Sequence, residues 1–482
     1  MALNRAGTVI FWTIRILATL FVIAVPVLGV WVGSSLAAYL NGPVWLVCLA
    51  GLLLFPGLPV VWTWWSRRRA QAKPRVLTFW DQVFVRTFVI NGLFLGTLLW
   101  ASPQTASTAV SSRGDWMIEG LDSAPARRVR DWLHGLADRF DWLYESSHEN
   151  EYEDLVDVEK DAPKPDPSQQ SDAEDPWKKP FEHEPAPPQQ EPEEPQPLAP
   201  GAWPQPAELH PAVTSMPPET KASVESIGRW IAARETDPYH RVKAIHDFVA
   251  DHVAYDAPAL AAGNYPPQDA DTVLRAGVGV CAGYANLMKA IADVTGDEIV
   301  IVVGDARGEG GEIDGRGHAW NAARIEGRWY LLDATWDAGS VNGATFEKRY
   351  STGYLFVPPG IMGITHFPED SVWQLEAEPL SRGDFVRQPM MRPEFFANGL
   401  SLQSPDRSQI TVDDEVEIRL GNPRGVFLMA KHEAGDCEVS DGENVAIRCA
   451  FASEGTYHVR LFASHDRYGS YPMVGELAVN AR

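Results

Sequence analysis

The chain has 482 residues, room for about three domains of ordinary size, and carries a formal charge of −23 from 41 basic and 64 acidic side chains. Residues 1–101 hold eight Lys/Arg against the single acid Asp81, which leaves −30 on the other 381 residues and excludes nucleic acid as a partner. Four cysteines with no CxxC pair, and no HExxH, exclude a zinc knuckle, an iron–sulfur protein, a disulfide-dense scaffold and a metalloprotease of the common kind.

No charge occurs in the 51 residues from Ile16 to Ser66. As one helix that run is roughly 75 Å long, against about 30 Å of bilayer hydrocarbon. Asn41-Gly42-Pro43 supplies a turn, so two membrane spans are predicted, at about 12–36 and 43–65, with a third at about 83–102 in which Arg86 snorkels. Together residues 1–102 form a multi-pass anchor. Arg67, Arg68, Arg69, Lys73 and Arg75 crowd the loop after the second span, and the loop after the first has no Lys or Arg. The positive-inside rule then puts the residues beyond the third span outside the cell membrane, in a periplasmic or extracellular space.

Within 103–160, Val129, Trp132, Leu133, Leu136, Phe140 and Leu143 recur at helical intervals over 122–145. This amphipathic helix lies along the membrane surface or against a neighbouring domain. Residues 161–220 hold 17 of the 37 prolines, mixed with Glu, Asp and Gln, and read as an extended acidic tether. Helices follow at about 223–235 and 238–253, where His240, His246 and His252 are six apart and read as surface residues. A short helix at 271–276 and a strand at 298–303 come next.

Gly279-Val280-Cys281-Ala282-Gly283-Tyr284-Ala285 sets a cysteine at the first turn of a helix. Free N–H groups and the macrodipole there favour a thiolate, and the glycines leave room for a substrate backbone. His318–Ile325 and Arg328–Asp333 read as strands joined by Glu326-Gly327. A two-residue loop pairs positions summing to 653, so His318 and Asp333 become diagonal neighbours on one face. A carboxylate that orients an imidazole, and an imidazole that deprotonates a thiol, are the parts of a Cys-His-Asp triad.

The motifs GVCAGYA, GHAWN and WYLLDATWD, in that order across about 223–340, resemble the transglutaminase-like superfamily of papain-like thiol enzymes. His366-Phe367-Pro368-Glu369-Asp370 with Trp373-Gln374-Leu375 resembles, more narrowly, the kyphoscoliosis-peptidase branch. The resemblance implies an α+β papain-like core over 221–395, with Cys281 as nucleophile, His318 as general base and acid, and Asp333 as orienter. It implies amide chemistry on a protein or peptide through a thioester, as peptidase, amidase or acyltransferase, with no cofactor and no metal. His366 is expected to be structural. No tryptophan lies between Trp230 and Trp320, where animal transglutaminases keep one for the oxyanion, so Trp320, Tyr255, Tyr265 and Gln268 become the candidates for substrate and oxyanion contacts. The alternative is a non-catalytic envelope scaffold, or protein-binding module, built on the same core. Oligomeric state is not legible.

Over 396–482 short alternating strands predict an all-β, immunoglobulin-like sandwich. With a three-residue loop at 442–444, Cys437 and Cys449 face each other across two strands, as a disulfide or as two unpaired core thiols.

Overall fold

The computed structural model describes residues 23–40, 42, 44–69, 77–121, 123–145, 150–156, 163–165, 201–308 and 317–482. The first part of the first expected span, most of the expected tether and the loop 309–316 lie outside them. The chain divides into two compact units, one reaching to His148 with Ser381–Arg387, the other comprising Glu149–Leu380 and Gln388–Ala481.

The first unit is helical. Trp45–Arg69 and Phe79–Ala101, 25 and 23 residues, are long and apolar enough to cross a membrane, and Ile23–Tyr39 is a shorter apolar helix. The middle helix breaks at Phe55 beside Pro56, because proline has no N–H to give the preceding turn. Asn91 of the next helix donates from Nδ2 to the Leu54 carbonyl at 3.0 Å, so the break finds a partner inside the bundle. The amphipathic segment forms a helix at Ala124–Ala137, and its Leu133 and Ala137 bury against Trp31 and Val110.

In the second unit a five-stranded antiparallel sheet positions the site. Its strands are β1 (Glu298–Ala306), β2 (His318–Ile325), β3 (Arg328–Leu332), β4 (Leu355–Val357) and β5 (His366–Pro368), in the spatial order β4-β3-β2-β1-β5. Glu326 and Gly327 both take positive φ (51° and 87°), the backbone a two-residue hairpin turn requires. The β2–β3 register accordingly pairs Asn321 with Leu332 and Ile325 with Arg328.

Alternation along β1 and β2 sorts two cores. Ile301 and Ala319 face the helix Cys281–Thr295, whereas Val300, Val302, Trp320 and Ala322 face the other way. That second face is continuous with Phe395, Phe396 and the interior of the β-sandwich, so the two domains share one apolar core. The sandwich consists of Ser401–Ser404, Glu415–Gly421, Asn444–Ala450 and Glu438–Val439 in one sheet; Gly455–Ser464 and Met473–Ala481 lead the other. Met390 and Met391 already pair with Glu476 and Gly475, so the sheet begins before the expected boundary at 396. Glu438 opposes Arg448, and Cys437 is bonded to Cys449.

Residues 201–220 differ from the tether expected there. Ala212, Val213 and Met216 are buried among the helices Val224–Ala232 and Pro238–His252, and Trp203 Nε1 donates to the Gly353 carbonyl at 2.9 Å. The proline-rich composition hides these apolar anchors and the short helical turns at Pro211–Thr214 and Pro218–Ala222. His246 is likewise buried rather than a surface residue, because two carboxylates meet its two ring nitrogens.

Candidate active site

Cys281 is the first residue of its helix, with Val280 at the N-cap. The first N–H groups of a helix have no partner within it, so they are available to a developing oxyanion beside the sulfur. Gln268 holds the approach to this turn: its Oε1 accepts the Val280 N–H at 2.9 Å and its Nε2 donates to the Pro266 carbonyl at 2.8 Å. The flanking glycines serve that contact rather than a substrate backbone. A Cβ at Gly283 would lie 2.6 Å from Gln268 Oε1, and one at Gly279 3.2 Å from it.

His318 begins β2 and Asp333 follows β3. His318 Nε2 donates to Asp333 Oδ2 at 2.7 Å, and the Cys281 thiol is near enough to the imidazole to favour its protonated form. Burial opposes a charge on His318, but the Asp333 carboxylate, the bond to it and the Cys281 thiol outweigh it and raise the imidazole to about 10. Burial likewise disfavours ionised Asp333, yet His318 and His366 hold its carboxyl well below the usual carboxylate range. Asp333 Oδ1 accepts the Thr335 and Trp336 N–H groups at 2.7 and 3.2 Å, so the carboxylate is oriented from both sides.

His366, expected to be structural, meets the same carboxylate. It shares Asp333 Oδ2 with His318, donating from Nε2 at 3.1 Å, while its Nδ1 accepts from the Thr365 hydroxyl at 2.8 Å. Burial pushes it down to about 4, only partly offset by Asp333, so it stands neutral beside the carboxylate. Its legible signal was position: β5 pairs with β1 at Ala306↔His366, next to Gly304↔His318.

The four expected substrate and oxyanion residues separate. Trp320 lies on the sheet face away from the Cys281 helix, stacked on His318 with ring centroids 5.9 Å apart. Gln268 has both ends of its amide engaged. Tyr255 pairs with Gly279 through a short parallel bridge and packs against the group around Cys281. Tyr265 packs there too, its hydroxyl donating to Glu151 Oε2 at 2.8 Å. His318, Asp333 and His366 are also the one group of three metal-binding side-chain types clustered among the described residues. Both Nε2 atoms are hydrogen-bonded to Asp333 Oδ2.

A helix-borne thiol set against an antiparallel sheet, with the histidine at the start of one strand and the carboxylate just past the end of its neighbour, defines the transglutaminase-like class of α+β fold. Residues 225–334 match the model of the transglutaminase-like superfamily, and residues 382–482 match the KY-like, immunoglobulin-like domain. The chain is 33% identical over 238 residues to kyphoscoliosis peptidase of Mus musculus, covering 46% of this chain and 35% of that one. It is 31% identical over 247 residues to kyphoscoliosis peptidase of Homo sapiens, covering 48% and 37%. A solved TGase structure aligns with 27% of this chain and 34% of its own at 19% identity, with a TM-score of 0.20. The chain thus spans little more than a third of the length of these curated relatives. With a transglutaminase-like core followed by a KY-like, immunoglobulin-like domain, it resembles the kyphoscoliosis-peptidase branch of the superfamily.

Proposed function

We propose that the chain is a membrane-anchored thiol enzyme that acts on amide bonds of proteins or peptides through Cys281, His318 and Asp333. The observation that carries this reading is the buried His318 Nε2–Asp333 Oδ2 hydrogen bond at 2.7 Å beside Cys281 at the first turn of its helix. The thiol proton passes to His318, and the sulfur attacks the amide carbonyl carbon. The resulting oxyanion meets first-turn N–H groups, with Tyr255 as the nearby hydroxyl. His318 then returns the proton to the leaving nitrogen, the C–N bond breaks and a thioester remains. Water or an amine attacks it, His318 takes the incoming proton, and the C–S bond breaks to free the sulfur. Water makes the enzyme a peptidase or amidase; a lysine amine makes it a crosslinking acyltransferase.

The test is alkylation of Cys281 in the full chain as a function of pH, beside His318→Ala. Labelling well below pH 8 that slows in the variant is the expected result. Onset only near pH 8.5, as for an ordinary thiol and indifferent to His318, would leave the fold as a protein-binding scaffold.

Two helices long enough to span a membrane support the anchor. The basic 67–75 loop supports a cytoplasmic loop there and an enzyme domain outside. Alkaline phosphatase fused after residue 110 is expected to be active, and an inactive fusion would overturn that orientation.

A further inference from the structure

Cys281 is 0% exposed, and part of what closes it comes from outside the matched domain. Residues 150–156, Asn-Glu-Tyr-Glu-Asp-Leu-Val, lie across the thiol end of the Cys281 helix. Asn150 Nδ2 donates to the Gly304 carbonyl at 3.1 Å and to the carbonyl of His318 itself at 3.4 Å. Gly317 makes room for it: a Cβ there would sit 2.3 Å from Asn150 Oδ1. At the far end Asn286 Nδ2 donates to the Leu155 carbonyl at 2.8 Å. Between them Tyr152, 2% exposed, packs with Cys281, Val280, Ile301 and Ala319 and against Tyr255 and Tyr265. Its hydroxyl is 3.5 Å from that of Tyr265, so the pocket has apolar walls and a phenolic end.

A short turn with a 3-10 helix at Glu153–Leu155, anchored by the Tyr152 ring beside Cys281, covers the thiol end of the helix, where a peptide substrate must approach. We propose that residues 150–156 are an intramolecular occupant of the substrate cleft, and that the Tyr152 pocket is the subsite for an aromatic side chain of a peptide substrate. The proposal rests on the thiol-enzyme reading above, because a cleft has a substrate only if Cys281 reacts. Access to Cys281 then requires that a competing peptide, or any event that withdraws the segment, empties the pocket.

The experiment is alkylation of the full chain in detergent, with Cys281 followed by peptide mass spectrometry because Cys48 is exposed and labels as well. Iodoacetamide reports access. Two peptidyl chloromethyl ketones, with tyrosine or aspartate beside the warhead, report the subsite. Tyr152→Ala and Asn150→Ala are expected to label at least about tenfold faster than wild type, the factor equivalent to 1.4 kcal/mol. Tyr152→Phe, which keeps the ring, is expected to stay near wild type. In Tyr152→Ala the tyrosyl reagent is expected to outpace the aspartyl one about tenfold. Equal labelling of wild type and both alanine variants, or no preference between the reagents, overturns the proposal. Thermal unfolding of each variant separates a loosened fold from an opened cleft, and Asn150→Ala, which removes no ring from the core, guards against the former. If the variants open the site but His318→Ala changes nothing, the thiol-enzyme reading falls and the occluding segment stands. If His318 matters and the segment does not, the reverse holds.

Discussion

Two buried histidines of the second unit take their carboxylates from one turn, and they differ in what their second nitrogen meets. His246 donates from Nδ1 to Asp247 Oδ1 at 3.2 Å and from Nε2 to Asp337 Oδ2 at 3.1 Å. His318 gives Nε2 to Asp333, and its other charged-state partner is the Cys281 thiol rather than a second carboxylate. The Asp337 N–H donates to the Asp333 carbonyl, so the two centres are one backbone turn apart. An imidazole between two carboxylates has both protons committed and serves as a fixed cation in the core. An imidazole between a carboxylate and a thiol has a proton it can exchange. The surroundings reinforce the difference: Lys243 Nζ and the Tyr350 hydroxyl close around Asp247 at 2.8 and 2.6 Å, leaving that cluster no reacting partner.

Breaking the closed centre carries the largest expected effect on stability. Asp337→Ala leaves a buried imidazolium short of one partner and is expected to cost about 3–5 kcal/mol in urea unfolding. Cys281 labelling in the folded variant should keep its pH profile; a changed profile would mean that the two centres are coupled. The same centre predicts a pH dependence. Burial opposes the His246 charge, but Asp247 and Asp337 outweigh it and raise the imidazole from 6.5 to about 9. A raised value contributes stability that is complete below about pH 6.5 and lost as pH rises through about 9. The stability gap between wild type and His246→Gln should therefore narrow across that window, and a constant gap would argue for a neutral His246.

Breaking the open centre should instead remove the reactivity of Cys281 in the protein that remains folded. Asp333→Asn keeps an acceptor for His318 Nε2 but withdraws the negative charge that favours imidazolium. Labelling of Cys281 at pH 6 is expected to fall on the order of 100-fold, toward the small thiolate fraction of an ordinary cysteine. Little change in rate would show that the carboxylate only positions the ring.

How far the two centres were legible in the sequence follows from the range of the contacts that build them. His318 and Asp333 are joined by one hairpin whose turn is written in Glu326-Gly327, so period-two alternation sufficed to bring them together. The same reasoning matches Glu438 to Arg448 and sets Cys437 opposite Cys449. His246 failed that test because its partner Asp337 lies 91 residues away, on an element no local pattern relates to it. Gln268 was chosen as a polar side chain near the cysteine, but which way its amide faces is settled by Val280 and Pro266. The packed stretch 201–220 was hidden by its prolines, which share a composition with a tether while Trp203, Val213 and Met216 do the anchoring.

His366 tests the comparison most finely, since it touches the open centre without touching the thiol's proton. Its Nε2 and that of His318 converge on the same carboxylate oxygen, an arrangement through which His366 would position Oδ2 for His318. Removing it in His366→Ala frees the carboxylate on one side and is expected to slow Cys281 labelling at pH 6 by roughly three- to tenfold, the size of one ordinary net hydrogen bond of about 1 kcal/mol. His366→Gln, whose amide can donate from a similar reach, is expected to restore most of that rate, although it fills the cavity less well than a ring. A purely structural His366 would show the opposite order, with both variants equally destabilised and neither altering the labelling of the folded protein. Rescue by the amide donor would therefore place the second histidine within the relay, and its absence would return His366 to the packing between Trp336 and Tyr354.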